Sequence, residues 1–198
     1  MSDLERLPAI TLHGGLVELV PMEPCHREEL WRAAEPAELW ELTASRVRSP
    51  LELEQYMQVA LAAAATGRAL PFVTRLVSDG RIVGSTRFAA YEPAHRRVEI
   101  GWTFLHPSLH GSGANVEAKA LMLRCAFEDW GLERVELKTD LLNQRSQRAM
   151  ERLGFTREGV LRRHMIVAGG RVRDTVYYSV VREEWPSVRL RLERLLGR

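Results

Sequence analysis

One unit in the middle of this 198-residue chain constrains its fold more than any other: a strand, a glycine turn, a long helix and a second strand. Residues 97–105 alternate between apolar and polar side chains, which predicts a strand with one buried face. We expect that face to carry Val98, Ile100, Trp102 and Phe104. The turn at 110–113 opens a helix that Gly131 ends, and residues 135–139 form the next strand. This order predicts a βαβ crossover, whose two strands run in parallel.

The remaining strand-like runs form hairpins after a short first strand at residues 16–20. The hairpin strands are residues 71–77 with 81–91, and residues 156–167 with 171–182. Asp79-Gly80 and Gly169-Gly170 lie between the members of the two pairs, and both are typical hairpin turns. One crossover among hairpins predicts an α/β fold of the α+β type, with a mixed, mainly antiparallel sheet of seven strands flanked by helices.

Four further segments have helical patterns. Ser49-Pro50-Leu51-Glu52 is a capping box with proline at the first helical position, and Gly67 ends the helix that it opens. The other helices are residues 25–34, 143–153 and 183–196. We expect one domain over 1–198, with its core at about 14–185 and the C-terminal helix at about 183–196. That last helix could dock within the chain or form a homodimer contact.

Composition and spacing exclude several classes of function. The formal net charge of +2 is too small to indicate a nucleic-acid partner. The six histidines and two cysteines form neither HxxxH nor CxxC, so we expect no metal site. The first residues lack the apolar region of a secretory signal, and no apolar run approaches the roughly 20 residues that a bilayer demands. We therefore expect a cytoplasmic protein with no membrane partner.

Two stretches could bind or transform a ligand. The glycine turn His110-Gly111-Ser112-Gly113 lets the backbone approach a ligand, and the helix after it offers free N–H groups to an anion such as a pyrophosphate. It fits neither a Walker nor a Rossmann pattern, and a plain strand-to-helix turn explains it as well. In the second stretch, Asn143 is a helix N-cap and Ser146 lies in the first turn, which capping alone also explains.

Taken together, these stretches resemble the GNAT acyltransferases, in particular the ribosomal-protein N-terminal acetyltransferases of the RimJ/RimL type. The resemblance extends from about residue 16 to residue 185. The residues that carry it are Glu99-Ile100-Gly101-Trp102, His106-Pro107-Ser108, His110-Gly111-Ser112-Gly113-Ala114-Asn115, Glu117-Ala118-Lys119, Ala126-Phe127-Glu128, Leu132-Glu133-Arg134-Val135, Asn143-Gln144-Arg145-Ser146 and the run from Leu153-Gly154-Phe155 to Arg162. The ordered set is highly specific, although each piece is common.

The resemblance implies acetyl-CoA as the cofactor and a splay between the fourth and fifth strands that admits its pantetheine arm. The implied CoA contacts are Phe104, Leu105, His110, Gly111, Ser112, Gly113, Ala114, Asn115, Asn143 and Ser146. The chain departs from the family pattern at three positions. His110 and Asn115 occupy the first and last places of the turn, and Met150 replaces a tyrosine that donates a proton in many relatives.

The same resemblance suggests roles in catalysis. Glu99 matches an acidic position common in the family and is our candidate base, acting directly or through a water. The alternative is that Glu99 is a solvated strand residue or an ion-pair partner. Ser146 is the candidate for protonating the departing thiolate, as in the matching subgroup, and a main-chain N–H of Phe104 or Leu105 would meet the oxyanion.

Acceptor specificity should lie between the two N-terminal helices and the last hairpin. Candidate lining residues are Trp40, Thr43 and Arg46, with Arg162, Arg163, His164 and Arg173 on the hairpin. The hairpin cations could attract an acidic acceptor or an anionic acyl chain, or they could form a solvated basic surface.

The sequence thus predicts an N-acetyltransferase that moves an acetyl group from acetyl-CoA to a primary amine, either a protein α-amino group or a small molecule. The alternatives are transfer from succinyl-CoA or another acyl-CoA, and a non-catalytic CoA-binding or ribosome-associated module.

Overall fold

The computed structural model describes residues 4–197, which form one mixed sheet with helices on both faces. The strands are β1 (Leu12–His13), β2 (Val17–Pro21), β3 (Leu70–Leu76), β4 (Ile82–Glu92), β5 (Arg97–Leu105), β6 (Arg134–Asp140), β7 (Thr156–Ile166) and β8 (Val172–Val181). The helices are α1 (Arg27–Ala34), α2 (Pro50–Ala65), α3 (Ala114–Arg124), α4 (Gln144–Leu153) and α5 (Trp185–Leu195). The sheet order is β1-β2-β3-β4-β5-β6-β8-β7.

The predicted topology is confirmed, apart from the number of strands. All neighbouring strands are antiparallel except β5 and β6, which are the parallel pair of the predicted crossover. The sheet has eight strands rather than the expected seven. The extra strand is β1, whose two residues pair with Leu19 and Glu18 of β2. A strand of two residues is too short to produce a periodic sequence pattern.

Each face of the sheet has its own core. On one face, called here the α3 face, α3, α4 and α5 pack over side chains such as Ile100 and Val135. On the other, the α2 face, α1 and α2 pack against β3, β4 and β5. The apolar side of α5, with Val188 and Leu192 buried, packs into the α3-face core. Of the two predicted alternatives for this helix, docking within the chain is therefore the one observed.

The predicted alternation of β5 is wrong beyond Gly101. Ser85 pairs with Phe104 and Arg87 with Gly101, so that one residue of β4 faces two residues of β5. Trp102 adopts a left-handed φ of 49° at this bulge, and its side chain is 39% exposed. An extra residue moves every following side chain to the opposite face. Ile100 consequently lies in the α3-face core, whereas Phe104 lies in the α2-face core.

Candidate active site

The strands β5 and β6 part soon after they begin. Their pairing consists of Arg97 with Arg134, Val98 with Val135 and Glu99 with Glu136. Beyond Glu99 both strands continue, each paired on its outer edge only, β5 with β4 and β6 with β8. The result is a wedge between two strand edges, with Glu99 at its apex. The predicted splay, between the fourth and fifth strands of the original count, is confirmed.

Two main-chain N–H groups of β5, those of Phe104 and Leu105, are the candidates for binding the oxyanion, and one of them faces this wedge. The N–H of His106 donates to the carbonyl of Val83 in β4, at 2.8 Å. Because consecutive amides of a strand point in opposite directions, the N–H of Leu105 faces the wedge. The aromatic ring of Phe104 is buried in the α2-face core, 5.0 Å from the ring of Trp40 between centroids. The N–H of Phe104 points toward β4, so neither this amide nor the ring of Phe104 faces the wedge, and the predicted contact falls to Leu105.

The glycine turn follows β5 after one 3₁₀ turn, Pro107–Leu109, and leads into α3. Gly111 and Gly113 have φ values of 84° and 90°, and a Cβ at Gly111 would meet nothing within 4 Å. Gly113 is the N-cap of α3, and Ser112 Oγ accepts from the N–H of Ala114 at 3.3 Å. An open, left-handed turn at the positive end of a helix is the arrangement that binds phosphate groups.

Asn115, in the first turn of α3, fits a ligand at this position. Its Oδ1 is buried and has no hydrogen-bond partner among residues 4–197. An unpaired buried acceptor is unfavourable unless a ligand or water supplies the donor. The geometry of the turn and this oxygen together agree with a nucleotide cofactor bound at the start of α3.

The second motif stretch lies beside the turn. Asn143 Oδ1 accepts from the N–H of Ser146 at 3.0 Å and so caps α4, as predicted. The hydroxyl-bearing Ser146 is half-buried in the first turn of that helix. Arg145 Nη1 lies 3.4 Å from His110 Nδ1, which joins α4 to the turn. Burial and the charge of Arg145 lower the pKa of His110, with a smaller opposing contribution from the Leu105 carbonyl.

Glu99 is almost fully buried on the α2 face and is ion-paired. Its Oε2 lies 2.6 Å from the Nζ of Lys138 in β6, and the residue is 3% exposed. A Cβ at residue 101 would lie 2.9 Å from Glu99 Oε1, so that the carboxylate extends over Gly101. The ion-pair alternative raised from the sequence is therefore observed, with a lysine as the partner.

Three of the residues predicted to line the acceptor site lie between the two N-terminal helices, and they differ in their surroundings. Trp40 is buried in the α2-face core, where its Nε1 donates to the carbonyl of Ala34. It supports the site from within the core rather than lining it. Thr43 is half-buried and its hydroxyl donates to the carbonyl of Ser45 at 2.6 Å. Arg46 extends to the β7–β8 turn, where its Nη1 would lie 3.6 Å from a Cβ at Gly169.

The hairpin candidates also differ in their surroundings. Arg162, Arg163 and His164 are exposed on β7, although the ring of His164 lies 5.8 Å from that of Tyr177. Arg173 is 4% exposed, and burial lowers the pKa of its guanidinium, against the attraction of Asp140. The solvated alternative therefore applies to the β7 arginines and not to Arg173.

Several polar residues at the site were missed by the sequence reasoning. They are Arg87, Lys119, Lys138 and Tyr177, all in the predicted elements around the wedge. Lys119 and Lys138 are the only lysines of an arginine-rich chain, which is a signal that could have drawn attention to them. Arg87 lies in a run of small and apolar residues, where a charged side chain on a buried strand is unusual.

Residues 17–156, well over half of the chain, match the acetyltransferase (GNAT) domain family. The chain belongs to this family. The predicted family, that of the GNAT acetyltransferases, is confirmed.

Individual relatives of this GNAT chain agree with that assignment. "Putative ribosomal N-acetyltransferase YdaF" of Bacillus subtilis is 32% identical over 110 residues, 56% of this chain and 59% of that relative. The match thus spans less than two thirds of that relative's length. A GCN5-related N-acetyltransferase from Brucella melitensis superposes with a TM-score of 0.87 at 27% identity, covering 96% of this chain and 86% of that one. RimJ of Mycobacterium smegmatis, in complex with CoA-disulfide, superposes with a TM-score of 0.76 at 27% identity, covering 98% of this chain and 92% of that one.

Two features outside the wedge bear on membrane and metal binding. None of the described helices is long and apolar enough to cross a bilayer. Glu23, Cys25 and His26 bring three ligand-type atoms within 4.8 Å of one another at the surface. His26 Nδ1 already accepts from the N–H of Glu23 at 3.1 Å, and these residues form the capping box before α1. Helix capping accounts for this cluster.

Proposed function

We propose that this protein transfers the acetyl group of acetyl-CoA to the α-amino group of a peptide or protein. The observation that carries the proposal is the wedge between β5 and β6, with the buried carboxylate of Glu99 at its apex and the glycine turn at its open end. The name of YdaF, a putative ribosomal N-acetyltransferase, supports a ribosomal protein as the acceptor, and RimJ in complex with CoA-disulfide supports a CoA cofactor. A ribosomal acceptor would place the protein in the cytoplasm.

The cofactor would be held by main chain more than by side chains. The turn at Gly111 and Gly113 and the first N–H groups of α3 would bind its phosphates, and the inner edges of β5 and β6 would pair with its amide-bearing arm. Asn115 Oδ1 in the first turn of α3 and the N-terminus of α4 near Ser146 would be further contacts of the cofactor. Acetyl-CoA supplies an activated thioester carbonyl, so that the protein mainly has to position an uncharged amine. Positioning can contribute roughly 7–11 kcal/mol to the lowering of a barrier.

Glu99 would receive the proton of the amine. Attack on the thioester requires an uncharged amine, which favours an amine that loses its proton readily. An α-amino group has a pKa near 8, against about 10.4 for a lysine side chain. This difference supports an α-amine over a lysine side chain as the acceptor.

Two further groups would stabilise charge during the transfer. The N–H of Leu105 faces the wedge and would donate to the developing oxyanion. Ser146 would donate to the departing thiolate, because Met150 at the place of the usual tyrosine has no proton to give. Because a serine hydroxyl is a weak acid, we expect Ser146 to contribute modestly to the rate of transfer.

The acetylation of peptides tests this proposal. A lysine-free peptide with a free α-amine and the same peptide with a blocked α-amine and one internal lysine are each incubated with acetyl-CoA and the protein. Mass spectrometry should detect an added acetyl group on the first and not on the second. Transfer to the lysine peptide alone would overturn the α-amine proposal. Transfer from succinyl-CoA in preference to acetyl-CoA would contradict the assignment of acetyl-CoA as the acyl donor.

A further inference from the structure

The α2 face contains a buried arginine, Arg87, that has no carboxylate partner among residues 4–197. Arg87 of β4 is 3% exposed, and its Nε and Nη2 have no hydrogen-bond partner among the described residues. Its guanidinium carbon lies 5.0 Å from the ring centroid of Tyr56 and 4.6 Å from that of Trp102. The two rings hold the cation but cannot accept its in-plane N–H groups, which remain directed elsewhere.

A second buried arginine lies on the other side of the wedge. Arg173 of β8 is 4% exposed, and its Nε also has no hydrogen-bond partner within residues 4–197. The neighbouring Thr175 Oγ1 is buried and unpartnered as well. Asp140, the carboxylate that acts most strongly on Arg173, is ion-paired with Arg171 instead.

The strand register places both arginines on the face that carries Glu99. Arg87 pairs with Gly101, over which the Glu99 carboxylate extends. On the other side, Lys138 pairs with Tyr177, and Arg173 follows at an even spacing along β8, which keeps it on the same face. Arg87 and Arg173 therefore flank the Glu99–Lys138 pair, one from β4 and one from β8.

The carboxylates of this region are already paired. Glu99 binds Lys138, Asp140 binds Arg171, and Glu136 binds Arg97 and Arg134. In the part of the chain that the structure describes, neither Arg87 nor Arg173 has a carboxylate oxygen within 4.0 Å. Burying a cation without hydrogen-bond partners is unfavourable. A guanidinium is also the group best suited to binding a carboxylate through two parallel hydrogen bonds.

We propose that Arg87 and Arg173 bind a carboxylate of the acceptor, so that the preferred substrate is an amine with an acidic group next to it. For a peptide this is an N-terminus followed by Asp or Glu. The inference rests on the proposed function, because it specifies the acceptor of the same site. Binding by these two buried arginines differs from a general attraction of anions by the β7 arginines, which are exposed to water.

Isosteric peptides test the inference. Lysine-free peptides beginning Ser-Asp and Ser-Asn differ only in the acidic group, as do Ser-Glu and Ser-Gln. For the wild type, kcat/KM with acetyl-CoA should be about 10- to 100-fold higher for the acidic member, which is the range expected for a charged hydrogen-bonded pair. Arg87→Met and Arg173→Met should each remove most of this preference through KM, with little change for the amide peptides. Arg157→Met, at an exposed arginine on the α3 face of β7, is the matched control and should keep the preference.

Two additional measurements separate recognition from folding. The melting temperature of Arg87→Met should not fall, because an uncompensated buried charge is replaced by an apolar side chain of similar length. The affinity for acetyl-CoA should be unchanged in both variants. A lowered melting temperature with equal losses for acidic and amide peptides would make Arg87 a structural residue and overturn the inference. So would a loss confined to succinyl-CoA as the donor, since the carboxylate bound would then be that of the acyl chain.

Binding of the acetylated products requires no turnover. Calorimetric titration should give at least tenfold tighter binding for acetyl-Ser-Asp than for acetyl-Ser-Asn peptides, and the difference should vanish in Arg87→Met. Equal binding of the two products by the wild type would overturn the inference even if both peptides are acetylated. Selective binding without any transfer would instead contradict the proposed function and leave the carboxylate site standing.

Discussion

Glu99 of β5 and Lys138 of β6 form an ion pair of 2.6 Å across the gap where their strands part. Glu99 belongs to the last paired register of the two strands, and Lys138 lies two residues beyond it. The pair therefore closes the apex of the wedge and fixes the carboxylate over Gly101.

If Glu99 is the base, removing its charge should slow transfer without weakening cofactor binding. We expect Glu99→Gln to lower kcat/KM by about 10²- to 10⁴-fold, the usual contribution of a general base. Glu136→Gln is a matched control, because Glu136 is the register partner of Glu99 and is also buried and ion-paired. Steady-state kinetics that give equal losses for the two variants would assign Glu99 a structural role.

The Glu99–Lys138 pair should contribute to stability in a way that a double-mutant cycle can measure. Lys138→Met leaves a buried carboxylate without its cation and should lower the free energy of unfolding by about 3 kcal/mol. The double variant Glu99→Gln/Lys138→Met should lose less than Lys138→Met alone. Urea denaturation measures both values, and strictly additive effects would mean that the two side chains do not interact in solution.

We expect substitution of Asn143 to lower stability and substitution of Ser146 to lower the catalytic rate. Asn143→Ala removes the cap of α4 and should cost about 1 kcal/mol of stability. Ser146→Ala should leave stability almost unchanged, because the cap uses the N–H of Ser146 and not its hydroxyl. We expect Ser146→Ala to lower kcat by roughly tenfold, less than the 10²- to 10⁴-fold typical of a general acid, because a serine hydroxyl is a weak acid. An unchanged kcat would remove Ser146 from the mechanism.

Lys119 should make stability depend on pH. Its Nζ donates to Thr103 and Thr86 at 2.6 and 3.2 Å beneath the β5 bulge, and burial lowers its pKa to about 7 from the usual 10.5. Below about pH 7 the lysine is charged in both the folded and unfolded states. Between about pH 7 and 10.5 only the unfolded state keeps the proton, so the free energy of unfolding should rise with pH.

Denaturation at several pH values between 6.5 and 9.5 checks this prediction. Lys119→Met should be more stable than the wild type near neutral pH and should lack the rise. Lys119→Arg, whose side chain cannot release its proton, should be less stable throughout. A wild-type stability that falls over this range would contradict the pKa shift.

The crossover, both hairpins and the splay could be predicted from the sequence because glycine turns and strand patterns are local signals. The β5 bulge could not, because a single inserted residue in a pleated strand changes which face a side chain takes without changing composition. It is this bulge that moves Phe104 to the α2 face and leaves Trp102 beside Arg87.

The ion pairs and the burial of charged residues at the site could not be predicted from the sequence either. Glu99 could be picked out through the family resemblance, but its pairing with Lys138 depends on two strands that are distant in the chain. Arg162 is exposed because β7 is the edge strand of the sheet, whereas Arg173 is buried on β8, which lies between β6 and β7. The hairpin also contains a register shift between Leu161 and Met165, which its sequence does not reveal.

Calorimetric titration of the protein with acetyl-CoA tests the central claim, that the wedge and the glycine turn hold an acyl-CoA, most directly. We predict one site of micromolar affinity, with a matching rise in melting temperature. Gly113→Ala, which forces a side chain onto a φ of 90° at the start of α3, should weaken binding. The absence of both heat and a melting shift with acetyl-CoA, succinyl-CoA and free CoA would contradict the account.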